Sequence, residues 1–239
     1  MTEFLLVFAL AIGLGWPLGR YLAAVMRGAP MRGDRLFLWL ERPLYALIGT
    51  NPERGMSWRG YAGAFLLSNL VLAVIVWLIL MTQAWLPLNP NGAPNMSWDL
   101  ALHTMVSFLT NTNQQHYSGQ AQLSYLAHMT GIVTLQVITP MMGLALVVAT
   151  LRGFFGGRNA QERKADGQEQ APVDVGNYWA DVIRPTLRFM LPLCLLWSVL
   201  LTSQGVPATL DGGPVVAPVD TTVEMKASVE FRVGILASC

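Results

Sequence analysis

Residues 110–120 read Thr110-Asn111-Thr112-Asn113-Gln114-Gln115-His116-Tyr117-Ser118-Gly119-Gln120, a run of hydroxyl and amide side chains without a carboxylate. Such groups, with the backbone carbonyls between them, can replace water around a monovalent cation, as rings of carbonyls do for potassium. They suit a divalent ion poorly, because calcium favours carboxylates. The run has a second reading, an extracellular turn in which Thr and Asn oxygens bond their own backbone. Elsewhere the chemistry is thin. His103, His116 and His128 share neither an i, i+4 face nor a carboxylate, as a metal site would need. Cys194 and Cys239 form no CxxC pair, so no zinc, iron–sulfur or redox site is expected. A membrane enzyme such as a lipid-linked transferase would want paired carboxylates or a His/Asp cluster. Asp99 stands alone between Arg59 and Arg152.

The elements that must position this run follow from composition. Of 239 residues, 53% are hydrophobic and 12% charged, against roughly 25% charged in an average globular chain. So little charge cannot cover a soluble surface. From Gly60 to Leu151 Asp99 is the only charged residue. That excludes an ordinary cytosolic enzyme, a nucleic-acid-binding protein and a disordered tail, and predicts an all-α integral membrane protein.

Four spans are expected, each needing ~20 apolar residues to cross ~30 Å of hydrocarbon. The first runs from Phe4 to about Met26, within an N-terminal helix of residues 1–27. Its acidic Glu3 and lack of a basic start argue against a secretory leader. The second covers Gly60 to about Leu86. The third covers about Leu123 to Leu151, with Gly131, Pro140 and Gly143 as possible kink points. The fourth covers 189–204, after an amphipathic stretch with Asp181, Arg184 and Arg188. Arg20, Arg27, Arg184 and Arg188 are expected to extend along the spans toward the inner interface. Trp16, Trp85 and Trp98 suit its aromatic belts. Segments 28–59 and 152–188 hold most of the Lys and Arg, while 87–122 holds none. Positive charge stays cytoplasmic, so the N-terminus, 87–122 and 205–239 are expected outside.

Between the second and third spans, Ser97-Trp98-Asp99 reads as a helix start, with Ser97 as N-cap and Asp99 facing the positive end of the dipole. The helix predicted over 98–109 is ~18 Å long, too short to cross. It can only descend partway, after which a loop over 110–119 must climb back out. Such backbone is tolerated at membrane depth only where protein buries it or water borders it. Residues 60–151 thus form a span, a re-entrant helix with its loop, and a second span.

That order is the order of the potassium-channel superfamily. Ser107-Phe108-Leu109-Thr110-Asn111-Thr112-Asn113, followed by Gln115 and Tyr117-Ser118-Gly119, resembles the first pore loop of the potassium-binding A subunit of bacterial Kdp potassium-transporting ATPases. Leu86-Pro87-Leu88-Asn89-Pro90 and Ser97-Trp98-Asp99-Leu100-Ala101-Leu102 fit the same family, as do Arg42 to Trp58 and Gly213-Pro214-Val215 to Thr222-Val223-Glu224. The resemblance covers residues 1 to about 226. It implies an extra N-terminal helix followed by span–pore-loop–span repeats whose four loops together form one filter. Thr110, Asn111, Thr112 and Asn113 would be the filter residues of the first repeat, with Gln115 at its outer end. Potassium would be the transported ligand, with no organic cofactor. A B subunit, a P-type ATPase, would hydrolyse ATP; a C subunit and a small single-span F subunit would complete a complex in the bacterial inner membrane. The chain itself would not be an enzyme, since nothing in it resembles a Walker or aspartyl-phosphate motif. Nucleic acid is not an expected partner; membrane lipid is.

Two departures set an alternative beside this reading. The chain carries one loop where four surround the ion. Residues 227–239 do not resemble the family's continuation, which suggests a truncated or frameshifted reading frame. The alternative expectation is an inactive fragment or a membrane scaffold without transport of its own.

Overall fold

The computed structural model describes residues 2–31, 33–165, 174–206 and 210–211. The parts of the sequence reading that fall on 166–173 and from residue 212 onward, including Gly213-Pro214-Val215, Thr222-Val223-Glu224 and the 227–239 tail, lie outside the described residues. Among the described residues all regular structure is helical. In chain order the helices are α1 (Thr2–Met26), α2 (Asp34–Ile48), α3 (Trp58–Thr82), α4 (Trp98–Leu109), the short α5 (Gly119–Gln122), α6 (Thr134–Ala165), α7 (Tyr178–Pro185) and α8 (Leu191–Ser203). A 3₁₀ turn, Gln83–Trp85, extends α3; π-helical turns lead into α6 (Ala127–Val133) and join α7 to α8 (Thr186–Met190).

Among the described residues, four continuous helices are long and apolar enough to cross a membrane: Glu3–Met26, Trp58–Trp85, Ala127–Phe155 and Tyr178–Ser203. The all-α, four-span expectation therefore holds. Leu66, Leu70 and Val74 on α3, like Leu5, Ile12 and Trp16 on α1, are exposed in the chain by itself. Apolar surface on this scale is what lipid or neighbouring helices cover.

The fourth span differs from the expectation in where it starts. It begins at Tyr178 and carries Asp181, Arg184 and Arg188 inside a continuous helix. Hydropathy alone ends a span at charges. Here two of those charges are neutralised by partners, so the helix runs through them. Arg188 does not reach out to the interface: it is 5% exposed and held by Glu41 and Asp34. The polar run after the third span also begins as helix, since α6 continues to Ala165.

The chain falls into two compact units, one built from residues up to Phe65 and from Met141 to Leu193, the other from Leu66 to Pro140 and from Cys194 onward. In the first unit, Arg152 meets Asp181, which also accepts a hydrogen bond from the Tyr61 hydroxyl at 3.0 Å. Asn177 caps α7 by accepting from the Ala180 amide. Its side-chain amide donates to the carbonyls of Asn51 and Arg54, each at 3.0 Å, which fixes the loop after α2. Gly176 sits at φ +96°, beside the Arg152 guanidinium, where a Cβ would collide.

The second unit has a core of Val76, Leu80, Met96, Ala101, Met105, Phe108, Leu123, Ala127, Ile132 and Leu135. Ala101, Met105 and Phe108 lie at i, i+4 and i+7, one stripe of α4. They hold the short helix against α3 and the π-helical turn that leads into α6.

Candidate functional site

The candidate site is the end of α4 and the loop that leaves it. α4 starts at Ser97, whose backbone is extended (φ −61°, ψ 153°) as an N-cap requires. The expected side-chain cap differs in detail: the Ser97 hydroxyl makes no capping bond to the backbone. It bonds Asp99 instead. That hydrogen bond, with the amides of Asp99 and Leu100, holds the Asp99 carboxyl below the usual carboxylate range. The cap is thus supplied by the acidic residue of the first turn.

At its other end α4 stops in a tight C-terminal motif. Thr110 is the C-cap. Asn111 follows at φ +60°; its amide donates to the Phe108 carbonyl at 3.2 Å, and the Thr112 amide donates to the Ser107 carbonyl at 2.9 Å. This is a Schellman arrangement with Asn in the left-handed position that glycine usually takes. Asn113 is again left-handed, at φ +55°, and its amide reaches the same Ser107 carbonyl at 3.2 Å. The Gln114 amide donates to Ser107 Oγ at 2.7 Å, and Ser107 Oγ donates back to the Gln114 carbonyl at 3.0 Å. Ser107 therefore gathers the whole loop. The loop does not leave the helix straight: its backbone coils over the helix end, because Asn tolerates the left-handed conformation.

This winding has a consequence for the carbonyls. In a trans peptide the N–H points opposite the C=O of the preceding residue, and no cis peptide occurs among the described residues. The amides of Asn111, Thr112, Asn113 and Gln114 all turn toward the last turn of α4. The carbonyls of Thr110, Asn111, Thr112 and Asn113 therefore turn away from it. None of them accepts a hydrogen bond among the described residues. The side chains brace one another: Thr110 Oγ1 donates to the Val106 carbonyl at 2.8 Å and lies 3.1 Å from Thr112 Oγ1, and Asn113 Nδ2 donates to Asn111 Oδ1 at 3.4 Å. Thr110 through His116, Gln115 included, are exposed. An open groove of about 540 Å³ runs along Trp98, Leu102, Val106, Thr110 and Thr112.

Other residues set the loop's position. Gln83, fully buried at the end of the second span, donates from Nε2 to the carbonyls of Pro94 and Gln122, each at 2.7 Å. Its Oε1 accepts from the Ser124 amide at 3.1 Å. One side chain thus joins the span, the approach to α4 and the exit from the loop. The Met96 amide donates to the Leu80 carbonyl at 3.1 Å and the Tyr125 amide to the Leu88 carbonyl at 3.0 Å. The indole of Trp77 donates to the Trp98 carbonyl at 3.2 Å. Sequence reasoning missed Gln83; its signal was an amide in the last turn of a largely apolar span. It also missed that Ser107 is the organiser of the loop. Tyr117 is half-buried, and burial pushes its hydroxyl pKa up to about 12.

The structure brings His103 and His116 together, with ring centroids 4.3 Å apart and edge to face. Among the described residues no three His, Cys, Asp or Glu side chains gather as a metal site.

The family model of the potassium-transporting ATPase A subunit matches residues 5–238, a range that takes in most of the segment after residue 226 set apart above. A potassium-transporting ATPase potassium-binding subunit of Caldanaerobacter subterraneus subsp. tengcongensis is 39% identical over 90% of this chain and 36% of its own length. Its counterpart from Alicyclobacillus acidocaldarius is 41% identical over 90% of this chain and 36% of its own. That from Gloeobacter violaceus is 42% identical over 81% of this chain and 31% of its own. The chain thus spans about a third of the length of the curated relatives it matches. With its four apolar spans and its short helix ending in a carbonyl-presenting loop, the chain belongs to the family of the potassium-transporting ATPase A subunit.

Proposed function

We propose that this chain supplies the first pore loop of a potassium-binding, channel-like subunit, which takes potassium from outside and passes it toward a P-type ATPase partner. The observation that carries the reading is the set of outward-turned carbonyls of Thr110, Asn111, Thr112 and Asn113, none used within the described residues. Carbonyls in such an array can substitute for the water of a monovalent cation. The C-terminal end of α4 adds partial negative charge beneath them. Thr110 and Thr112 hydroxyls and the Asn111 and Asn113 amides hold the array in shape rather than take part in bond making. Gln115 stands at its outer end. A complete site needs further loops of the same kind around the ion, which the remainder of a full-length subunit would provide.

In this reading the chain is not catalytic, and ATP is hydrolysed by a B subunit, with C and single-span F subunits completing the complex. The chain lies in the bacterial inner membrane with its N-terminus outside, as the arginine-rich segments 28–59 and 152–188 support. A Gln115→Arg change in the full-length subunit tests this. A fixed cation beside a cation path opposes entry, so the half-saturating potassium concentration for uptake rises about tenfold or more, as a guanidinium at low effective dielectric implies. An unchanged half-saturation, with assembly intact, would defeat the placement of Gln115 beside the cation path.

A further inference from the structure

The charges of α2 are balanced in sequence and unbalanced in space. The helix carries Asp34, Arg35, Glu41 and Arg42. Both acids point to one side and are taken up by Arg188: Asp34 Oδ1 accepts at 2.7 Å, and Glu41 accepts from both Nε and Nη2. Glu41 is 1% exposed. Arg35 and Arg42 are exposed on another face, with no ion-pair partner among the described residues. With Trp39 between them they stand at i, i+4 and i+7, one stripe of the helix. A groove of about 520 Å³ runs along this stripe, lined by Arg35, Leu38, Trp39, Arg42 and Pro43. Leu36 and Leu47 beside it are exposed as well.

The helix is also tied to two spans. Arg188 belongs to the fourth span, and its carbonyl accepts from the hydroxyl of Tyr21 near the end of the first span at 2.8 Å. By holding Arg188, α2 is tied to the first and fourth spans. A helix with exposed apolar residues and a pair of exposed arginines has the make-up of an interfacial helix.

We propose that the Arg35–Trp39–Arg42 stripe is a binding site for an anionic phospholipid, its phosphate held between the two guanidinium groups. Arginine forks pair with phosphate oxygens in bidentate fashion, and the Trp39 indole and leucines enter the boundary with the acyl chains. Charge complementarity chooses the occupant: the face offers two cations and no anion, because Arg188 has removed both acids. Zwitterionic lipid would gain less, since its own ammonium competes for the phosphate.

The test uses the full-length subunit purified in neutral detergent and titrated with phosphatidylglycerol or phosphatidylcholine, with bound lipid counted by native mass spectrometry. Phosphatidylglycerol should be retained in preference to phosphatidylcholine. Arg35→Gln/Arg42→Gln should weaken its retention about thirtyfold, given ~1 kcal/mol for each basic residue near an anionic surface. Arg54→Gln, in the same polar segment but off the stripe, should leave it unchanged. Both stripe arginines are exposed, so the double variant keeps its fold, which its helical circular dichroism checks. Equal retention of the two lipids, or equal loss in Arg54→Gln, would overturn the proposal. So would unchanged lipid retention with weakened co-purification of the other subunits, which would assign the stripe to a protein partner.

Discussion

Ser107 and Asn111 carry the candidate site between them. Ser107 draws the Thr112, Asn113 and Gln114 amides to one point, and Asn111 at φ +60° turns the chain so that they can reach it. A β-carbon costs ~1–2 kcal/mol in the left-handed conformation unless the residue is Gly or bonds locally, as Asn does. Asn111→Ala should therefore lower the stability of the loop by about 1 kcal/mol, while Asn111→Gly stays close to the parent. Thermal unfolding of the full-length subunit in detergent checks the order of the two. Residue types alone marked 110–113 as rich in oxygen donors. They did not tell which way the carbonyls face, because that depends on two positive φ angles that Asn permits without requiring.

The elements around the loop act as a frame, and Gln83 is its principal polar tie. Replacing it by Leu keeps the volume but leaves the Ser124 amide and the Pro94 and Gln122 carbonyls without the partners they have now. Buried groups stripped of a partner cost about 1–3 kcal/mol. Gln83→Leu should therefore lower the melting temperature and raise the half-saturating potassium concentration together. Gln83→Glu should not recover the loss: its carboxylate still accepts from Ser124, but the oxygen that replaces Nε2 faces the Pro94 and Gln122 carbonyls with nothing to donate. The spans and the short helix over 98–109 were legible from hydropathy and length, and α4 ends where the polar run begins. The start of the fourth span was not. Asp181 and Arg188 look like the end of a membrane segment until Arg152, Glu41 and Asp34 are seen beside them. Those partners lie 29 to 154 residues away in sequence, beyond any local window. These pairs tie distant helices together; taking Arg152 away would leave the Asp181 charge buried alone, the costly case.

At the scale of the molecule, the chain joins apolar spans to polar segments of unlike charge content. The arginine-rich segments 28–59 and 152–188 are expected on the cytoplasmic side, and the loop 110–119, without Lys or Arg, on the other. Reporter fusions after Ser118 should read outside and fusions after Arg163 inside; the reverse pattern would invert the topology and put the loop at the wrong face for uptake. Family membership was readable from the Ser107–Asn113 and Leu86–Pro90 motifs, because their spacing is specific. The ion site as a whole was not, because a chain spanning about a third of its relatives holds one loop of the set that would surround the ion.

The claim that the 110–113 carbonyls face a potassium ion is tested most directly by observing them. In the full-length subunit, threonine labelled with ¹³C at the carbonyl and asparagine labelled with ¹⁵N report on Thr–Asn peptides, Thr110–Asn111 and Thr112–Asn113 among them, in solid-state NMR, and Thr→Ser variants at 110 and 112 assign their signals. The Thr50–Asn51 peptide serves as an internal control in the loop after α2. Exchange of sodium for potassium should shift the Thr110 and Thr112 carbonyl resonances and leave Thr50 in place. Carbonyls at 110 and 112 that ignore the exchange, in a subunit that still takes up potassium, would contradict the account.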